Sequence, residues 1–266
     1  MDWLEVHRGT APLVVSFPHT GTDIPAGLEE AFASLWHARR DADWWVDRLY
    51  DFAATLGATT IRTGVSRSVI DVNRDPSGAS LYPGMATTEL CPTTDFDGAP
   101  LYHAGAEPDA AEIARRKTAY FEPYHDAIRG ATERSPYSRV VLFDAHSIRS
   151  RIPRLFEGEL PHFNIGTHDG RSCDARLAAA VEGVCAATGY SHVVNGRFKG
   201  GWTTRHYGRP DLGFHAIQLE LSCRGYIDEP DVPSPRNWPT PYAEPRAAAL
   251  RAVLKDIIAA CLAFAR

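Results

Sequence analysis

"RVVLFDAHS", residues 139–147, decides how the chain is read. Arg139 to Phe143 is a short apolar run with no helical spacing, the pattern of a strand buried on both faces. It is expected to end there and give way to Asp144-Ala145-His146-Ser147. The same design stands near the N-terminus, where the strand candidate Pro12 to Phe17 leads into "SFPHTG", residues 16–21. Open α/β sheets gather functional groups beyond the carboxyl ends of their strands. His19 and His146 are therefore expected to meet in space. A third strand, "HAIQLELS" at residues 215–222, puts Ile217, Leu219 and Leu221 on one face and Ala216, Gln218, Glu220 and Ser222 on the other.

Outward from these strands the chain alternates. Asp43 to Leu56 reads as a helix, with Trp44, Leu49, Phe52 and Leu56 near one stripe and Gly57 as a stop. Thr59 to Arg62 and Ser191 to Asn195 read as short strands. Pro108 opens a helix with Asp109 and Glu112 in its early turns, continuing through Tyr120 toward His125. Asp174 to Thr188, closed by Gly189, and Glu244 to Phe264 are further helices. Ser66 to Leu101, Arg151 to Arg171 and Tyr226 to Tyr242 read as irregular. No repeat or linker divides the chain, so residues 1–266 are expected to form a single α/β domain, a mixed sheet covered on both faces.

Composition narrows the function. In 266 residues 44% are hydrophobic, enough for a sizeable core, and the formal net charge is -5. No basic surplus is present to neutralise phosphates, which argues against a nucleic-acid partner. A small anionic substrate stays open, because local arginines can override a mild global charge. No apolar run reaches the length of a membrane span. Met1-Asp2-Trp3-Leu4-Glu5 lacks the basic start of a signal peptide. The five cysteines are scattered, with no zinc-knuckle or redox pair, and read as reduced thiols of a cytoplasmic protein, Cys185 and Cys261 in its core. Nothing in the sequence sets an oligomeric state.

Two imidazoles, His19 and His146, with Asp43 make a plausible zinc set that leaves a fourth position for water. The rival reading has each residue capping a loop or filling a hydrogen-bond network. Asp144 is positioned to orient a histidine ligand through its ring N–H, or to cap a strand end. Glu220 is a carboxylate inside an apolar strand, costly unless it has a partner. A general base beside a metal supplies that reason; a buried ion pair with an arginine is the alternative. Ser147 lacks the Gly-x-Ser-x-Gly elbow of a serine nucleophile. Arginines crowd the loops: Arg67 and Arg74 around Asp71 and Asn73, then Arg149, Arg151 and Arg154, then Arg197 and Arg205. Such forks suit a dicarboxylate, although Arg67 or Arg74 can also pair with Asp71. Gly200-Gly201 lets the backbone approach a ligand closely, but no P-loop is present.

Together the stretches "SFPHTGTDIP", "DADWWVDRLYDFAATLGAT", "SRSVIDVNRDPSG", "LYPG", "FDAHSIRSRIPRLFEGELPHFNIGT", "NGRFKGGWTTRHYG" and "HAIQLELS" resemble the N-formylglutamate deformylase (amidohydrolase) family. The resemblance runs from near the N-terminus to about Tyr226, and the helical tail fits it. It implies hydrolysis of N-formyl-L-glutamate to L-glutamate and formate in histidine degradation. It also implies a divalent metal, zinc first, and a three-layer α/β/α fold related to zinc carboxypeptidases and aspartoacylase. Carried onto this chain, it implies His19, Asp43 and His146 as metal ligands and Glu220 as the residue that activates water. Arg67 becomes the oxyanion partner, while Asn73, Arg74, Arg149, Arg197 and Arg205 become candidate substrate contacts. One departure is that Trp45 stands where family members often carry histidine, and a tryptophan binds no metal. The choice between Asp41 and Asp43 stays open at this level. So do a different N-acyl amino acid substrate, such as N-formylaspartate, and a binding module that has lost turnover.

Overall fold

A computed structural model describes residues 3–81 and 83–266; Met1, Asp2 and Tyr82, the last within the quoted "LYPG", lie outside them. Seven strands form one sheet: β1 (Leu4–His7), β2 (Leu13–Phe17), β3 (Thr59–Thr63), β4 (Val140–Ile148), β5 (Phe163–Gly166), β6 (His192–Val194) and β7 (Phe214–Ser222). Their order across the sheet is β1-β3-β2-β4-β7-β5-β6. β3, β2, β4 and β7 run parallel, β5 pairs with β6 in parallel, and β1 and β5 join their neighbours β3 and β7 antiparallel. The sheet is mixed, as the sequence suggests.

Helices cover both faces. Against one pack α2 (Val46–Leu49), α5 (Ala175–Ala186) and α7 (Glu244–Ala265). Their Val46, Leu49, Leu177, Val181, Leu254 and Ile257 meet Leu13, Val15, Val141, Phe143, Ile217 and Leu219 of the strands. On the other face Tyr124 and Ile128 of α4 (Glu122–Glu133) and Tyr207 of α6 (Trp202–Tyr207) meet Val14, Ile61, Val140, Leu142 and Ala216. Preceding α4 are α3 (Ala110–Arg116), capped by Asp109 through the Glu112 N–H at 2.8 Å, and one π-helical turn, Lys117–Phe121. α1 (His37–Arg40) completes the set. All five cysteines are unbonded and buried. No helix among the described residues is long and apolar enough to cross a membrane.

The structure corrects four local expectations. Residues 43–56 are not one helix: Trp45 takes φ 65°, which an α-helix cannot accommodate, so the chain splits into α2 and a 3₁₀ segment at Asp51–Leu56. β4 does not stop at Phe143 but continues through Asp144 and His146 to Ile148, because its full length pairs with β7. Within the stretch read as irregular lies β5, and within the glycine-bearing loop lies α6. β1, too short and mostly exposed, carries no sequence signal.

Candidate active site

Parallel pairing aligns the polar ends of three central strands. β2 sets Ser16 beside Asp144 of β4, and β4 sets Asp144 beside Gln218 and His146 beside Glu220 of β7. His19 lies just past β2, and Asp43 lies where the 36–46 segment crosses over, its N–H donating to the His19 carbonyl at 2.9 Å. His19, Asp43 and His146 therefore converge. Each offers one ligand atom, and these atoms lie within 4.8 Å of one another. Asp43 Oδ2 stands 2.9 Å from His146 Nδ1 and 3.7 Å from His19 Nδ1.

This cluster fits a metal on its own geometry. His19 Nδ1 and Asp43 Oδ1 are buried without a hydrogen-bond partner, an arrangement costly for polar atoms unless something else satisfies them. Both rings are anchored through their other nitrogen. His19 Nε2 meets Asp71 Oδ1 at 2.6 Å, and His146 Nε2 lies 3.0 Å from Asp144 Oδ2 and 2.9 Å from Asn73 Nδ2. Two imidazole nitrogens and one carboxylate oxygen leave an open position in a tetrahedral site. Burial opposes the charge of Asp43, but the flanking His19 and His146 outweigh it and hold the carboxyl below its usual range. Burial likewise opposes a charged His146, yet Asp144 and Asp43 raise its pKa well above the ordinary imidazole value. Burial pushes the Glu220 carboxyl up to about 8, against the attraction of His146 and Arg67. A cation reverses that logic by stabilising the carboxylate.

The choice between the two aspartates is geometric. Asp41 faces away, accepting from the Phe96 N–H at 2.7 Å and from Arg149 at 3.1 Å, while Asp43 faces the histidines. The Trp45 indole donates to the Thr240 carbonyl at 2.9 Å and is spent on anchoring the chain.

A cleft of about 590 Å³, measured out to its open mouth, begins at His19, His146 and Glu220. Arg67, Asn73, Arg74 and Arg197 line it, with Phe96, Ile148, Leu155 and Phe198 as its apolar wall. Arg67 reaches inward to within 3.6 Å of Asp43 Oδ1 and lies under the Phe96 ring, 4.7 Å from its centroid. Arg74 is held by the Thr88 carbonyl and hydroxyl, both at 3.0 Å, and Arg197 by the carbonyls of Leu155 and Ala86. Arg149 and Arg205 are not brought into the cleft. Arg149 pairs with Asp41 and Asp97, and Arg205 binds the carbonyls of Gly200 and Leu81. The Asn73 amide is committed inside the protein: Nδ2 donates to Asp144 at 3.0 Å and Oδ1 accepts from the Thr203 N–H at 2.8 Å. Gly201 is pressed so close to Asn73 that a Cβ there would come within 2.4 Å of its amide; its N–H donates to Gln218 Oε1 at 2.7 Å. Sequence reasoning paired Asp71 with Arg67 or Arg74, as found, but missed Phe96, Phe198, Thr88 and the contact of Asp71 with His19. For Asp71 a signal existed, a charge set between Ile70 and Val72 in "VIDV".

Four likenesses place the chain among known proteins. The family profile described as N-formylglutamate amidohydrolase matches residues 11–227. N-formylglutamate deformylase of Pseudomonas aeruginosa PAO1 is 46% identical over 266 residues, covering 99% of this chain and 97% of the relative. The protein of the same name from Pseudomonas putida is 44% identical over 264 residues, covering 98% and 96%. The crystal structure of N-formylglutamate amidohydrolase from Ralstonia eutropha JMP134 superposes with a TM-score of 0.80 at 25% identity, covering 100% of this chain and 98% of that one.

Proposed function

We propose, for a chain that belongs to the N-formylglutamate amidohydrolase family, that it hydrolyses N-formyl-L-glutamate to L-glutamate and formate as a cytoplasmic enzyme of histidine degradation. The observation that carries this reading is the buried His19–Asp43–His146 cluster at the floor of an arginine-lined cleft, with Glu220 alongside His146 on the next strand. Each of these three offers one donor atom to a single divalent ion, zinc in our reading. When bound there, such an ion lowers the pKa of water and polarises a carbonyl oxygen. The fold kinship with zinc carboxypeptidases and aspartoacylase belongs to the same reading.

The chain's own residues supply the remainder. Glu220 takes the proton from the attacking water and returns it to the leaving nitrogen, without which the amine is a poor leaving group. Arg67, held in place by Phe96 and Asp71, faces the negative charge that develops on the formyl oxygen. Arg74 and Arg197 at the mouth receive the two carboxylates of the glutamate moiety. Asn73 and Asp144 hold the His146 ring in orientation. Phe96, Ile148, Leu155 and Phe198 exclude water around the reacting group.

The test is formate release and elemental analysis on one purified sample, with N-formyl-L-glutamate compared against N-formylnorvaline. One divalent ion per chain and a preference for the dicarboxylate of at least about 10-fold in kcat/KM are expected, since each hydrogen bond between charged groups that only the dicarboxylate makes contributes about 1.5–3 kcal/mol. Equal rates on the two substrates remove the arginine reading. A metal-loaded protein that releases no formate removes the activity.

A further inference from the structure

One fully buried carboxylate enters that scheme only as a hold on Arg67. Asp71 is 0% exposed and lies in the turn between the two pocket arginines Arg67 and Arg74. Its backbone is fixed by its own N–H on the Leu90 carbonyl at 2.7 Å. The two carboxylate oxygens divide their partners. Oδ1 accepts from His19 Nε2 at 2.6 Å and from the Asn73 N–H at 2.9 Å, while Oδ2 accepts from Arg67 Nη2 at 2.8 Å and faces Arg74 Nε at 3.6 Å.

We infer that Asp71 is a positioning residue that couples the cation site to the substrate arginines, orienting His19 through one oxygen and Arg67 and Arg74 through the other. The inference rests on the functional reading above and deepens it. A carboxylate is only an acceptor, so the His19 nitrogen facing Asp71 must carry the hydrogen. That leaves the lone pair on Nδ1, the atom that is buried without a partner and turned toward Asp43. Asp71 thus fixes which His19 nitrogen can bind a cation. The same carboxylate holds the arginine that stands 3.6 Å from Asp43, so a displaced Asp71 disturbs ligand and oxyanion partner together. Asp144 differs: it supports His146 but its other partners are Ser16 and Asn73, with no arginine among them.

The experiment uses Asp71→Asn in the full chain. Its amide is nearly isosteric, yet it offers one acceptor where the carboxylate offers two oxygens. Zinc affinity, read by chelator competition on the metal-free protein, is expected to weaken about 10–100-fold. KM for N-formyl-L-glutamate at saturating zinc is expected to rise about 10-fold, from the lost hydrogen bond to a charged group. A structural role alone lowers the melting temperature and leaves zinc affinity and KM where they were; that result overturns the inference. Weakened zinc binding with unchanged KM overturns the coupling. Should the variant not fold, long-range ¹H–¹⁵N NMR of the zinc-loaded wild type decides: coordination of His19 through Nδ1 with a proton on Nε2 is expected, and coordination through Nε2 overturns the inference. A wild type that binds zinc but releases no formate sinks the substrate reading alone, since the zinc and NMR measurements still decide on Asp71.

Discussion

The two faces of β2, β4 and β7 are built from the same backbone and could hardly differ more. One face is apolar along almost its whole length: Val15 and Phe17, then Val141, Phe143 and Ala145, then Ile217, Leu219 and Leu221, all within one core. The other begins the same way, with Val14, Leu142 and Ala216. Halfway along it changes to Ser16, Asp144, His146, Gln218 and Glu220, every one of them buried. Register aligns the change across the strands, Ser16 beside Asp144 beside Gln218, then His146 beside Glu220. The effective cost of burying each ion is several kcal/mol unless partners repay it. The first face stabilises the fold, whereas the second uses that stability to keep a polar and charged cluster buried.

The contrast is tested most severely at His146. His146→Ala removes one donor of the cluster and leaves Asp43 and Asp144 facing each other unscreened. Loss of the bound metal and a fall in turnover of at least about 10³-fold are expected, from the several kcal/mol a metal contributes to such a transition state, with the secondary structure kept. Elemental analysis and circular dichroism check both. Full metal content in the variant removes His146 from the ligand set.

On the opposite face the expected effect is of another kind. Leu219→Ala, adjacent to Glu220 but pointing into the apolar core, opens a cavity that costs about 2–5 kcal/mol of stability. Metal per folded molecule and kcat stay near wild type. Urea unfolding and a metal assay on the folded fraction measure this. A Leu219→Ala protein of unchanged stability that loses its metal would show that the two faces are not separable.

That division was partly legible in the sequence. Strand alternation in "HAIQLELS" separates Leu219 from Glu220 before any coordinates are known, because period two is a local property. The convergence of His19, Asp43 and His146 was readable only as two strand ends plus a resemblance, since long-range spacing carries no geometry. Three kinds of feature stayed hidden. Trp45 breaks a helix whose apolar spacing is good: its backbone turns left-handed where its indole is held by the carbonyl of the distant Thr240. β1 and β5 are too short to show a period, and exist because a neighbouring strand pairs with them. Arginine clamps could not be ranked, since what separates Arg197 from Arg149 is where distant partners hold each guanidinium: the carbonyls of Leu155 and Ala86 keep Arg197 on the cleft wall, and Asp41 and Asp97 keep Arg149 away from it.

Glu220→Gln sharpens the comparison inside the polar face itself. It preserves the shape and removes the proton acceptor, so kcat is expected to fall about 10²-fold while metal content holds. In the metal-free protein the sign of the stability effect follows from burial. The folded carboxyl lies near 8 and the unfolded one near its ordinary 4.5. The folded state therefore holds a proton that the unfolded state releases, and stability falls as pH rises from about 4.5 through 8. The amide has no such dependence. Metal-free Glu220→Gln should gain on the wild type steadily across that window and melt higher above pH 8. A near-normal kcat in a metal-loaded variant excludes Glu220 as the base.

The smallest expected effect lies behind the polar face, at His125 of α4. Its Nε2 donates to the carbonyl of Val72, between Asp71 and Asn73, at 2.7 Å, and its ring is packed among Phe121, Trp202 and Tyr207. Burial, stronger than that hydrogen bond, pulls its pKa down to about 3. Below about 6.5 the unfolded chain takes up a proton here that the folded chain refuses, so this residue makes folding less favourable as pH falls from 6.5 toward 3. His125→Asn retains a donor for the Val72 carbonyl but loses ring packing, and should be less stable at pH 7.5. It cannot titrate, so its deficit relative to wild type should shrink on acidification, by about 1.4 kcal/mol per pH unit below 6.5. Urea unfolding of both proteins at pH 7.5 and 5.5 gives the two differences. A deficit that is the same at both values means that His125 is protonated in the fold, and that the layer behind the site is wetter than its packing indicates.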